Sequence, residues 1–326
     1  MAEEKGGTQF VSVLDAASKK KARDELNERN EKDTILAVQS LREWALQQDW
    51  LKSPTDYAFL LRFLRFRKFS QLDARKALEK FWTVRTGRPD WFTNEDPFDP
   101  VLLKLMRMGA FYASPKRDKH GRIVMFGGFE KLDTEFFKSV GVSKMYHMSA
   151  LLCDWLTFNE HAQVNGVVFV SNYAGITWSM ITTLYNPEFE KEFTSYFQKS
   201  LPIRVKSLDI FNEPPFFDAI WAMVSIILSK KLKSRFHLHG KSLVKIYNEI
   251  GYECIPDEYL PDDYEGPRVG TIAQVVETMI EDMRRPEFLT YIRDLSSGKY
   301  GVDKSRIPAK TSDESPAASY RKINTD

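Results

Sequence analysis

Val167-Val168-Phe169-Val170 is apolar at every position, and few backbone environments accept that. A strand with one wet face alternates polar and apolar residues. A strand that is apolar throughout is covered on both faces, as in a parallel sheet flanked by helices. Three more runs read as strands of the same sheet. They are Ile123-Val124-Met125-Phe126, Ser207-Leu208-Asp209-Ile210-Phe211 and Phe236-His237-Leu238-His239. Helical patterns lie between them, around 140–163, 186–200 and 215–231. This alternation predicts an α/β fold with a mostly parallel sheet. A helix over Ile272 to Met283 and a short one after Pro286 follow the sheet.

The chain ahead of the sheet reads differently. Residues 1 to about 30 are polar, with Lys19-Lys20-Lys21 in the middle, and predict a ragged helix or a mobile segment. From Asp33, the residues Ala37, Val38, Leu41, Trp44 and Ala45 share a helical face. A second helix covers Asp56 to Arg67. Ser70-Gln71-Leu72-Asp73 resembles a capping box and opens a third, closed by Gly87-Arg88-Pro89. Residues 31–90 thus read as a small all-helical domain, Pro89 to Pro100 as a linker, 91–295 as the main domain and 296–326 as a flexible tail.

Charge and motifs exclude several classes of function. Lys and Arg number 47 against 45 Asp and Glu, so a net charge of +2 gives no case for nucleic acid. The two cysteines, Cys153 and Cys254, make neither a disulfide framework nor a zinc set. Met1-Ala2-Glu3-Glu4-Lys5-Gly6 lacks the apolar run of a signal peptide, so a cytoplasmic protein is expected. There is no glycine-rich nucleotide loop and no Gly-x-Ser-x-Gly elbow. The five histidines lack metal-binding spacing; His237 and His239 share one side of a strand and read as hydrogen-bonding residues. Neither a catalytic set, nor a metal, nor a cofactor is expected.

What remains is apolar and cationic. From Phe216 to Leu228 there is a single charge, and Asn212 with Pro214-Pro215 reads as a helix start. On a helix, Phe216, Phe217, Ile220, Trp221, Val224, Ile227 and Leu228 form one stripe. The run is too short to span a bilayer, which takes about 20 residues. Lys230-Lys231-Leu232-Lys233-Ser234-Arg235 follows. Such a helix either packs into a core, its lysines complementing the macrodipole, or lies on an anionic membrane surface. Arg204 and Lys206 point one way if extended, and Arg62, Arg65 and Arg67 are interleaved with large apolar groups. Separated basic clusters without a catalytic partner suit a phosphate or a lipid head group.

The run Leu60 to Phe69 resembles the signature of the helical region preceding a CRAL-TRIO lipid-binding domain. Phe211-Asn212-Glu213-Pro214, the apolar helix, Lys231 to Arg235, His237-Leu238-His239-Gly240 and Leu260-Pro261-Asp262-Asp263-Tyr264 resemble the second half of that domain. The similarity runs in matching order over roughly 33 to 295 and is greatest to the branch of tocopherol and retinaldehyde carriers. Asn172-Tyr173-Ala174-Gly175 and Glu265-Gly266 depart from that branch's usual residues. The resemblance implies a monomeric cytosolic carrier of one small hydrophobic ligand, with a sheet as pocket floor and the apolar helix as lid. It implies pocket positions at Tyr146, Ser149, Cys153, Val167, Phe169, Ser171, Phe193, Tyr196, Phe197 and Leu208. The lid positions are Phe216, Phe217, Ile220, Val224 and Ile227. Phosphoinositide contacts fall on Arg67, Arg204, Lys206, Lys231, Lys233 and Arg235, so reversible association with anionic phosphoinositide membranes is implied. A phosphoinositide-sensing adaptor without net ligand transfer is the alternative, and an enzyme a further one.

Overall fold

A computed structural model describes residues 10–307. Among them the strands are β1 (Leu51–Lys52), β2 (Tyr112–Ala113), β3 (Ile123–Gly128), β4 (Val167–Asn172), β5 (Val205–Phe211), β6 (Phe236–Leu238) and β7 (Gly301–Val302). β2 to β6 form one sheet in that order; β2 is antiparallel to β3 and the remaining neighbours are parallel. All four strands expected from the sequence are there. Because β3 to β6 advance in one direction, right-handed crossovers put every connection on the same face. The connections include the helices Val142–Phe158, Pro187–Lys199 and Phe217–Ser225. Tyr259 lies on the opposite face, its ring 6.4 Å from Phe126 and 5.3 Å from Phe211. Tyr247 of the helix Val244–Ile250 donates its hydroxyl to the Tyr259 carbonyl at 2.6 Å.

The two faces of the sheet are not covered equally. Val124, Phe126, Val168, Val170, Asn172 and Phe211 share the Tyr259 side and are all buried. On the helical side, Phe169 and Ser171 of β4 and Leu208 of β5 are only half-buried, although β4 is the central strand. Met125 and Ile210 on either side of them are buried. Incomplete burial at the middle of a sheet means that the layer above leaves space there. The space is local and lies over Phe169, Ser171 and Leu208.

The N-terminal region is helical, as expected. Asp15, Asn30, Asp56 and Ser70 accept the backbone N–H of Ser18, Asp33, Phe59 and Asp73 at 2.7, 2.8, 2.9 and 3.4 Å. These caps start the helices Ala16–Leu26, Glu31–Gln47, Tyr57–Phe66 and Gln71–Gly87. Four sequence expectations need correction. Residues 16–26 form a docked helix, while 1–9 lie outside the described residues. The expected linker contains the helix Pro89–Phe92, whose Trp91 is fully buried. The expected tail is packed as far as it is described: β7 pairs antiparallel with β1, and Ser296 Oγ accepts the Glu95 N–H at 3.1 Å. Residues 308–326 lie outside the described part. Finally, the apolar run is not one helix over 215–231. It is helical over Phe217–Ser225 and again over Lys230–Lys233, where Ser229 caps the second piece. Asn212 caps nothing; its side chain donates to Asn172 Oδ1 at 2.9 Å.

Two buried arginines join the N-terminal helices to the sheet domain. Arg65 donates to both oxygens of Glu28 at 2.8 Å, and to Glu160 and Gln163 at 2.9 Å. Arg85 reaches Asp154 at 2.6 Å and Glu95 at 3.1 Å. Burial, with the Asp154 carboxylate adding to it, pushes the Glu95 carboxyl well above its ordinary value. Removing one member of a buried ionic group strands the others in low dielectric. Arg85→Met is therefore expected to cost about 3–5 kcal/mol of stability, read as a lower urea midpoint. Arg306→Ala breaks an exposed pair with Asp49 and is expected to cost about 0–1 kcal/mol.

Candidate functional site

The half-buried floor is built by register. Phe169 stands opposite Leu208 across the parallel ladder, and Ser171 opposite Ile210. Above it, Phe193 and Phe197 occur four residues apart on the helix Pro187–Lys199 and face the same way. Phe197 meets Phe169 at 6.0 Å. Tyr146, Ser149 and Cys153 lie on one face of the helix Val142–Phe158. Tyr146 stacks on Trp91 at 4.8 Å and donates to Glu190 at 3.0 Å. Burial, then Glu190, raises its phenol above the ordinary value. Ser149 is half-buried and donates to the Met145 carbonyl at 2.9 Å. Cys153 is buried with a free thiol, which burial pushes up.

Two of the implied floor and wall residues do not border the space. Val167 is fully buried at the start of β4, below the half-buried stretch. Tyr196 is fully buried between Phe81 at 5.7 Å and Phe92 at 5.1 Å, on the side of the N-terminal helices. Its ring also lies 6.2 Å from Phe193, three residues back, and Phe197 is the next residue, about 100° further round the helix, so the aromatic pattern alone does not tell which of the three borders the space. Trp91 and Phe189 complete the aromatic group around Tyr146. Reading Pro89 to Pro100 as a linker missed Trp91; the Pro-Asp-Trp-Phe sequence, with proline opening a helical turn, was the available signal.

The apolar helix closes one side. Phe217 and Ile220 pack with Ile210 in a small cluster separate from the main core, edged by Phe216, Trp221 and Phe236. Trp221 lies 4.5 Å from Phe236. Val224 and Ile227 are half-buried, and Ile226 at the end of the helix is 81% exposed. Gln198 holds that end: its amide donates to the Ile227 carbonyl at 2.9 Å and accepts the Ser229 N–H at 2.7 Å.

Beside the helix the cations converge. Arg67 lies over the Phe66 ring at 4.2 Å and donates to the Lys199 carbonyl. Arg204 donates to the Val164 carbonyl at 2.7 Å and to Glu25 at 2.8 Å, and Arg235 to the Val205 carbonyl. Burial, then Arg204, lowers Arg235. Burial, then Arg235, Arg204, Lys68 and Arg67, lowers Lys231. Lys206 is pushed down to about 8 by burial first and then by Arg204, with Lys21 and Arg235 adding. Such mutual depression requires cations crowded within each other's fields. The structure thus brings Arg67, Arg204, Lys206, Lys231 and Arg235 together. Lys233 is exposed on the helix Lys230–Lys233, which ends before Arg235. Lys21 and Lys68 also act on the cluster. His239 bonds Asp209 at 2.8 Å, as a hydrogen-bonding histidine should.

A mostly parallel sheet half-buried at its centre, a lightly packed apolar helix and a cationic rim thus lie together. Residues 107–260 match the CRAL/TRIO domain, and residues 27–102 match the Pinta-like UBA domain. The chain is 31% identical over 240 residues to the Alpha-tocopherol transfer protein-like of Mus musculus, covering 73% of this chain and 68% of that one. It is 26% identical over 254 residues to Clavesin-1 of Xenopus laevis, covering 77% and 75%. Its fold resembles the crystal structure of Sfh5 with a TM-score of 0.52 over 82% of this chain and 98% of that one, at 13% identity. The chain belongs to the CRAL-TRIO family of lipid-binding and lipid-transfer proteins. One of these relatives is named for tocopherol transfer.

Gln198→Ala tests how the apolar helix is held. Two hydrogen bonds contribute about 0.5–1.5 kcal/mol each. Losing them is expected to speed amide exchange across 224–229 about tenfold, with β4 unchanged, as read by hydrogen-exchange mass spectrometry.

Proposed function

We propose that this protein is a cytoplasmic, monomeric carrier of one small hydrophobic ligand of tocopherol or retinoid type. The ligand sits over Phe169, Ser171 and Leu208, beneath Phe193, Phe197 and the helix Phe217–Ser225. The observation that carries this reading is the half-buried floor of Phe169, Ser171 and Leu208 at the centre of the sheet, between buried Met125 and Ile210. In this reading residues 31–90 brace the lipid-binding unit of 91–295. The helix Phe217–Ser225 is a lid because its cluster is separate from the main core. No helix among the described residues is long and apolar enough to cross a membrane. Docking is reversible: one buried Ile or Phe contributes roughly 1.5–3 kcal/mol. Each cation near an anionic leaflet adds about 1 kcal/mol, so four give ~4 kcal/mol, about three decades of affinity. Organic extraction of the purified protein, followed by mass spectrometry, is expected to return one apolar compound in near-stoichiometric amount. Extracts indistinguishable from those of an unrelated protein would end the carrier reading.

The cationic cluster stands apart from the half-buried floor, and this favours a second reading as a phosphoinositide-sensing adaptor. Vesicle-to-vesicle transfer separates the two, since an adaptor binds phosphoinositide vesicles without moving ligand. In either case Lys231→Glu with Arg235→Glu is expected to abolish sedimentation with such vesicles at low salt. Lys206 adds a pH signature. It is charged below about 8 and neutral above, and a bound phosphate raises its pKa, so affinity is full at low pH and declines as pH rises through 8. Between about pH 7 and pH 9 the expected loss is roughly tenfold. Lys206→Arg keeps its charge and is expected to flatten that decline.

A further inference from the structure

The N-terminal helix Ala16–Leu26 lays a carboxylate inside the cationic cluster. Glu25 Oε2 accepts from Arg204 Nη2 at 2.8 Å and lies 3.6 Å from Lys206 Nζ. Burial opposes its charge, yet the Arg204 hydrogen bond, Lys206 and Lys21 outweigh burial and hold the carboxyl below its ordinary value. Glu25 is thus an anion where the two cations of the Arg204-Val205-Lys206 segment meet. The helix that carries it is well anchored. Asn165 donates to Ser18 Oγ at 2.8 Å, Glu28 pairs with buried Arg65, and Leu14, Ala22 and Leu26 pack on Val164. The Glu25 side chain itself is not confined: it is 42% exposed, so it can turn to solvent without moving the helix.

We infer that Glu25 is an internal competitor for the anion the cluster takes. Its carboxylate stands where one phosphate of a phosphorylated head group would sit, and the head group must displace it. A phosphomonoester brings about −1.5 to −2 charges and three acceptor oxygens against the single charge of a carboxylate, so the exchange is favourable. A second phosphate then meets Lys231 and Arg235, which share the field of Arg204. Glu25 sets the resting affinity of the site without touching the pocket. The inference rests on the membrane-docking reading above.

The experiment compares wild type with Glu25→Gln on two probes. One is phosphatidylcholine vesicles carrying phosphatidylinositol bisphosphate; the other is free inositol trisphosphate, followed by calorimetry. Glu25→Gln is expected to bind both about fivefold more tightly, the contribution of one charge at an anionic surface. The gain should shrink when Lys206→Gln is added, because one of the two cations that Glu25 occupies is then gone while Arg204 remains. Unchanged or weaker binding, with a lowered melting temperature, would make Glu25 a structural clasp and overturn the inference. A gain on vesicles but not on the free head group would point to bulk surface charge and overturn it too. If wild type and variant both ignore both probes, the membrane-docking reading itself fails. Failure of the inference alone leaves wild-type binding intact.

Discussion

The architecture depends on two arginines buried where the helical region meets the sheet domain. Arg65 and Arg85 each bridge acidic groups from segments far apart in the chain. In low dielectric such a group is stable only while every member has its partner, so it has one acceptable geometry. It locks the helices Tyr57–Phe66 and Gln71–Gly87 against Val142–Phe158 and Glu160–Val164. Arg67, two residues along from Arg65, is thereby held beside the Lys199 carbonyl. Part of the cationic rim is therefore positioned by the same ionic contacts that hold the two regions together.

Stability is distributed unequally as a result. One continuous core runs from Val38 to Val302, through the N-terminal helices, the sheet and the C-terminal helices. The apolar helix contributes to a separate small cluster with Ile210, and the N-terminal helix to another with Val164. Few buried contacts mean a low local opening free energy. The apolar helix, beside the proposed membrane face, can thus move without disturbing the body, whereas the N-terminal helix is also tied through Ser18 to Asn165 and through Glu28 to Arg65.

The sequence made β3 and β4 legible because they are six residues long and largely apolar. β1, β2 and β7 were not legible: two residues carry no periodicity, and tertiary pairing alone defines them. The apolar run showed its chemistry but not its break, since hydrophobicity continues through Ile226-Ile227-Leu228 where the helix stops. Ser229 marked the restart as a cap residue. Individual cations were recognisable through family resemblance, whereas their convergence required the fold. Glu25 was hidden in a charged helix where each residue looks like solvated surface. Tyr196 shows the opposite failure, since an aromatic in the right segment, next to Phe193, is fully buried against Phe81 and Phe92.

The pairing of β1 with β7 bears on how the molecule comes into being. Leu51 and Val302 are partners, and Asp303 donates its N–H to the Trp50 carbonyl at 2.8 Å. The helical region leaves the ribosome before the sheet does, yet its edge stays open until residue 302 has been synthesised. Contacts of such sequence separation form late, because the loop they close must already be ordered. A nascent chain stalled before position 302 would carry an unsealed N-terminal layer, a natural place for a chaperone to act.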